Sequence, residues 1–322
     1  AALRTHVTVA RVAEKICARL EVLCRPDGSE QAAADAGALE AVVAALCAHP
    51  QVAAVQVRGC TVLTNVCGGH DAAGPARKQR AADAGALEAV VNAMRAHPQV
   101  AAVQWWGCEA LDNVCCGDDT AGRARSQRAA DAEALEAVVA ALCAHPQVAA
   151  MQERGCTVLG IVCGGDDAAG RARKQRAADA EALEAVVAAM RAHPQVAYVQ
   201  EWGCGVLSII CGGRDAAGLA RRQRAAQVGG GMVAAAAMKA HPANGGVQDY
   251  GHKVLGFILL GSLGQVVCLC VRLFALSTRV LKGPHKNCEP WARSQILVDF
   301  KKVQRPSQNS FKQSDKPAVQ TR

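Results

Sequence analysis

Aromatic side chains are nearly missing from this chain: 3% of 322 residues, as four Trp, four Phe and two Tyr. A sandwich or barrel core of aromatic and β-branched residues is thereby excluded. Alanine dominates the apolar 51% and favours helix, and that apolar share excludes disorder throughout. Net charge is missing from most of the chain too. The formal +8 sits in residues 272–322, where 11 Lys and Arg meet 3 Asp and Glu; the first 271 residues hold 25 of each sign. A nucleic-acid footprint needs a basic face, so the neutral body argues against nucleic acid as the partner. The first twenty residues, AALRTHVTVARVAEKICARL, hold no long apolar run, and no signal peptide is expected there. Chemistry is lacking as well. The recurring GGxDAAGxAR segments have no Lys-Ser/Thr of a phosphate-binding loop, and no nucleophile–base–orienter set is visible. No catalytic residue, cofactor or metal is expected, and the chain reads as a non-enzyme.

A repeat is what the chain does have. His-Pro recurs at His49, His97, His145, His193 and His241, always 48 residues apart. A fixed period of this length implies an array of stacked units. Each unit divides into three helices. In the second, Leu87, Val90, Val91 and Met94 fall at i, i+3, i+4 and i+7, one helix face. Pro98 is expected in the first turn of the third helix, which buries Val100, Val103, Gly107, Leu111 and Val114 and stops at Gly117. An Asp of the Gly-Asp-Asp turn is expected to cap the basic first helix.

The boundaries follow. Residues 1–32 read as a truncated unit. Full units run 33–80, 81–128, 129–176 and 177–224. A degraded unit covers 225–260, where Gly229-Gly230-Gly231 weakens the start of the second helix. A hydrophobic C-terminal helix is expected at 254–281 and a basic disordered tail at 282–322. Units 33–80 and 129–176 agree at 41 of 48 positions, 33–80 and 81–128 at 35. The array therefore grew by duplication of a two-unit block.

The 16 Cys recur in register: Cys60/Cys67, Cys108/Cys115, Cys156/Cys163 and Cys204/Cys211 lie seven apart on one helix face. Two turns span about 10 Å and packed helices lie ~8–10 Å apart. Four ligands cannot then converge on one zinc, and buried free thiols in a reducing compartment are expected. The His-Pro histidines are expected to cap helix ends. The basic clusters Arg77-Lys78-Gln79-Arg80, Arg123/Arg125/Arg128, Arg171/Arg173/Lys174/Arg176 and Arg221/Arg222/Arg224 follow acidic turns and read as solvated faces paired with local acids. The run from Val254 to Val271 holds no charge and just reaches the length of a membrane span.

A basic helix, then Asp-Ala-Gly-Ala-Leu-Glu-Ala-Val-Val, then a long helix ending Leu63-Thr64-Asn65-Val66 or Leu111-Asp112-Asn113-Val114 resembles the armadillo repeat family. The likeness covers roughly residues 7–260 and is similar to the alanine-rich arrays of leucine-rich-repeat kinases and of armadillo-repeat-containing protein six. It implies an all-α fold, an armadillo-like right-handed α-solenoid of 48-residue three-helix repeats. It also implies a concave face of third helices that binds a protein partner, an extended peptide or a helix. The family's nuclear-signal-binding members have a Trp four residues before the Asn. Here those positions hold Thr61, Glu109, Thr157 and Gly205, and the Asn gives way to Ile161 and Ile209.

With that geometry, Arg58, Trp106, Arg154 and Trp202 form a column along the face, with Trp105 beside it. Arg154 would stand between two Trp rings. Gln56, Gln104, Gln152 and Gln200 would bond the backbone of a bound peptide. The function expected is a cytoplasmic or nuclear scaffold. The alternatives are a membrane-tethered adaptor with one span at 254–271, or the regulatory fragment of a larger kinase-type protein.

Overall fold

The computed structural model describes residues 8–24, 28–69 and 71–259. Among them there is no strand; fifteen helices lie wholly within these ranges, and residues 245–259 are helical too. The helices come in triplets. The first helices are Glu30–Asp35, Gly74–Asp83, Thr120–Asp131, Ala168–Asp179 and Ala216–Gln227. The second are Ala38–Ala48, Ala86–Ala96, Ala134–Ala144, Ala182–Ala192 and Gly230–Ala240. The third are Ala53–Cys67, Ala101–Cys115, Ala149–Val162 and Ala197–Ile210, with 245–259 last and Ala10–Leu23 ahead of the first complete triplet.

Local chemistry sets the ends. Asp119, Asp167 and Asp215 cap the first helices, accepting from the Gly122, Gly170 and Gly218 amides at 2.7–2.8 Å. First and second helices meet at one left-handed residue. That residue is Gly37, Gly85 or Gly229, with φ of 76°, 89° and 92°. In the other two triplets it is Glu133 or Glu181, at φ 67° and 66°. A left-handed conformation costs a side-chain-bearing residue roughly 1–2 kcal/mol, and the array tolerates it where the second helix is otherwise well buried.

Equivalent helices of successive triplets pack on one another, and the third helices do so most extensively. Leu87, Val90, Val91 and Met94 are buried, as are Val103, Leu111 and Val114. The third helix comes close to the second at a glycine. A Cβ on Gly59, Gly107, Gly155 or Gly203 would lie 2.5–2.6 Å from Leu46, Met94, Leu142 or Met190. Glycine there is a packing requirement.

Four expectations change. Pro98 sits in the turn, and the third helix begins at Ala101 after an extended Val100. The unit cuts at 80/81, 128/129, 176/177 and 224/225 fall inside first helices, since a periodic sequence does not mark its own phase. The unit at 225–260 is not degraded in structure. Gly229 takes the left-handed position and helix Gly230–Ala240 still forms, with the extra Gly230 and Gly231 in its first turn. The rings of His97, His145, His193 and His241 do not cap their own helices but reach the previous triplet. The hydrophobic helix at 254–281 beyond residue 259, the rest of the 254–271 run and the tail at 282–322 lie outside the described residues. Among the described residues, no helix is long and apolar enough to cross a membrane.

Candidate functional site

The polar residues of the repeat divide into those spent on joining helices and those left on a surface. Four ladders join them. Gln56, Gln104, Gln152 and Gln200 are almost fully buried. Each donates its amide N–H to two carbonyls ending the second helix of its own triplet. Gln104 reaches Met94 O at 2.7 Å and His97 O at 2.8 Å, and Gln56, Gln152 and Gln200 repeat the pattern. These side chains satisfy orphan carbonyls and do not face a partner, which corrects their assignment to a peptide-binding row.

The histidine rings form the second ladder. His97, His145, His193 and His241 Nε2 lie 2.8–2.9 Å from the Pro50, Pro98, Pro146 and Pro194 carbonyls of the preceding triplet.

Arginines make the other two. Arg77, Arg125, Arg173 and Arg221 are at most 3% exposed. Their Nε donates to Val66, Val114, Val162 and Ile210 O, at the end of the preceding third helix, at 2.6–2.9 Å. Their Nη1 reaches Gln31, Gln79, Gln127 and Gln175 one triplet back. Arg80, Arg128, Arg176 and Arg224 pair with Glu40, Glu88, Glu136 and Glu184 at 2.5–2.6 Å. Much of each basic cluster is therefore internal glue between triplets. The expectation of solvated faces holds for exposed members such as Arg123 and Arg171 and fails for the buried ones.

The cysteine columns are buried as expected. Cys60, Cys67, Cys108, Cys115, Cys156, Cys163, Cys204 and Cys211 are all inaccessible. Burial pushes the Cys60, Cys115 and Cys156 thiols up to about 12 and Cys108 higher still. The described cysteines are free thiols, with Cys47 and Cys143 exposed on second helices. No metal-binding group of His, Cys, Asp and Glu occurs among the described residues.

The third-helix face keeps the remaining side chains. Trp105 and Trp106 are half-buried, packed on the core and edge-to-face with each other, centroids 4.5 Å apart. Trp202 is half-buried in the same way. Arg58 pairs with Glu21 at 2.7 Å. Arg154 does not stand between Trp rings. It bridges to Glu109 at 2.6 Å and Asp112 at 2.9 Å on the neighbouring third helix, because two half-buried carboxylates outbid a ring face for a guanidinium. Burial holds Glu109 and Asp112 above the usual carboxylate range, with Arg154 opposing.

Two clefts open where third-helix residues meet the turns and first helices that follow them. The N-terminal one, about 570 Å³, is lined by Glu30, Thr64, Asn65, Asp71, Glu109 and Asn113 among others, with no Lys or Arg among the described residues. The C-terminal one, about 1120 Å³, is lined by Arg171, Lys174, Arg214, Arg222 and Lys253 against Asp166 and Asp215, with Ser208, Ile209 and Phe257. There Arg222 lies 5.1 Å from the Phe257 ring and Lys253 5.1 Å from Tyr250. Sequence reasoning did not single out Lys253, Arg214 or Glu30. The signal was present as charge changes at fixed positions of the 48-residue period. No family model, no curated protein and no solved structure matches this chain.

Proposed function

We propose that the chain is a non-enzymatic scaffold of armadillo type, whose third-helix face binds a segment of a protein partner. Two clefts that third-helix residues help to line, one acidic and one basic, carry this reading. The helix triplets with their long third helices support the armadillo assignment. The ladders support a protein rather than a nucleic-acid partner, since Arg77, Arg80 and their equivalents are committed within the array. The buried free thiols support a reducing, cytoplasmic or nuclear setting.

The test compares two faces of one triplet. A photo-crosslinking amino acid replaces Glu153 on the third helix, or Ala140 on the exposed side of the second. After irradiation in cell extract, position 153 is expected to give discrete protein adducts and position 140 few. Equal labelling of the two positions, or labelling at 140 alone, would overturn the reading.

A further inference from the structure

The two clefts are one cleft repeated. Eight lining residues of the N-terminal cleft map onto lining residues of the C-terminal one by three steps of the 48-residue period. Gly68, Gly69 and Asp71 become Gly212, Gly213 and Asp215, and Thr64 becomes Ser208. The frame is thus kept, including the glycine walls and the carboxylate beside a buried arginine. At two positions the charge is reversed: Glu30 becomes Lys174 and Glu109 becomes Lys253. Asn65 and Asn113 become Ile209 and Phe257, so the second cleft is also more apolar.

Local pairs leave part of each charge uncompensated. In the first cleft Arg77 engages Asp71 at 2.7 Å. Arg154 serves both Glu109 and Asp112, one cation for two carboxylates. The buried Lys78 also acts on Asp112, and Glu30 accepts from the Gly28 amide at 2.8 Å and feels the more distant Arg77. In the second cleft Lys174 pairs with the exposed Asp166 at 2.7 Å and Arg222 donates to Cys211 O at 2.9 Å. Arg214 and Lys253 are exposed and have no carboxylate partner among the described residues. Glu201, in the N-terminal half of helix Ala197–Ile210, accepts from Asn244 at 3.1 Å.

We infer that the partner is an extended polypeptide segment with opposite charges at its two ends. Its basic end lies in the cleft of Glu30 and Glu109, its acidic end in the cleft of Arg214 and Lys253. Charge complementarity selects this occupant. Three packed-helix steps span about 24–30 Å, and an extended chain advances about 3.3 Å per residue. The two charged ends are therefore about seven to nine residues apart. The inference rests on the third-helix face being the binding face.

The probes are three fluorescein-labelled peptides with a Gly/Ser spacer of about eight residues. One has two Lys at one end and two Glu at the other, one has Glu at both ends, and one has Lys at both. Anisotropy against the full chain is expected to rank the mixed peptide first by about fivefold over each of the others, as for one exposed ion pair. The preference should fade at roughly 0.5 M salt. Arg214→Glu with Lys253→Glu makes both clefts acidic and should move the preference to the all-Lys peptide. Glu30→Lys should move it to the all-Glu peptide, and Glu30→Gln, the milder variant, should abolish the advantage of the mixed peptide over the all-Glu one. Helicity by circular dichroism checks that each variant is folded. A panel without charge preference, including one in which nothing binds, overturns the inference. If position 153 still crosslinks, the binding face itself stands. A mixed-peptide preference that none of these substitutions moves overturns the inference, and the binding face then stands or falls with the crosslink at position 153.

Discussion

A cysteine in this array behaves as a small hydrophobe with a proton it cannot release. In the folded chain burial pushes the thiols at Cys60, Cys67, Cys156 and Cys204 up to about 12, from an ordinary value of 9.0. The folded state then holds its protons more tightly than the unfolded state between pH 9 and 12. Stability contributed by each thiol is fully present below pH 9 and is lost as pH rises through that window, by up to ~1.4 kcal/mol per pH unit per thiol. Urea unfolding midpoints are expected to fall steeply from pH 8.5 to 10.5, and to fall less in a Cys60→Ala, Cys156→Ala variant. A flat profile would contradict the burial. At neutral pH, iodoacetamide should modify the exposed Cys47 and Cys143 well before the buried columns.

Helices are joined here by side chains that reach backwards along the chain. Arg125 lies in a first helix, yet its three donors serve Val114 O, Cys116 O and the Gln79 side chain. It thereby closes the C-terminal end of one third helix and ties two first helices together. Arg125→Met would keep volume and leave those acceptors buried without donors. A loss of about 2–4 kcal/mol is expected in urea unfolding. Arg125→Lys should recover little of it, because a single ammonium cannot present a planar fork to three acceptors. Full recovery by lysine would mean that charge alone matters at this site. The glutamine ladder does for the second helix what the arginine does for the third, so in the first four triplets carbonyls at both helix ends are bonded from within the array.

The whole array is a chain of nearest-neighbour contacts, each triplet packing mainly on the next. Its stability is then close to a sum over units and interfaces. Units alternate in two types, so removing residues 81–176 joins Arg80 to Ala177 and restores an interface of the kind already present between 129–176 and 177–224. That deletion is expected to leave mean residue ellipticity unchanged and unfolding cooperative. Removing residues 81–104 instead breaks the register of first, second and third helices. It should cost helicity well beyond the residues removed. Equal behaviour of the two deletions would argue against repeat stacking.

Much of this was legible in the residues alone. The period, the helical character of each segment, the buried faces at Leu87, Val90, Val91 and Met94 and the inaccessible cysteine columns all follow from spacing, because burial of an apolar side chain depends on which helix face it occupies. The destinations of long polar side chains did not follow. Gln104, Arg125 and His97 could reach solvent, a partner or a carbonyl with equal ease in sequence. Their actual acceptors lie 7–47 residues away and are fixed only when helices stack. The Trp and Arg column failed as a ladder for the same reason: adjacency along one face does not say whether Arg154 meets a ring or the two carboxylates of its neighbour. The reversal from Glu30 and Glu109 to Lys174 and Lys253 was written in the repeat, but only packing puts a first-helix residue and a third-helix residue of different triplets into the same cleft.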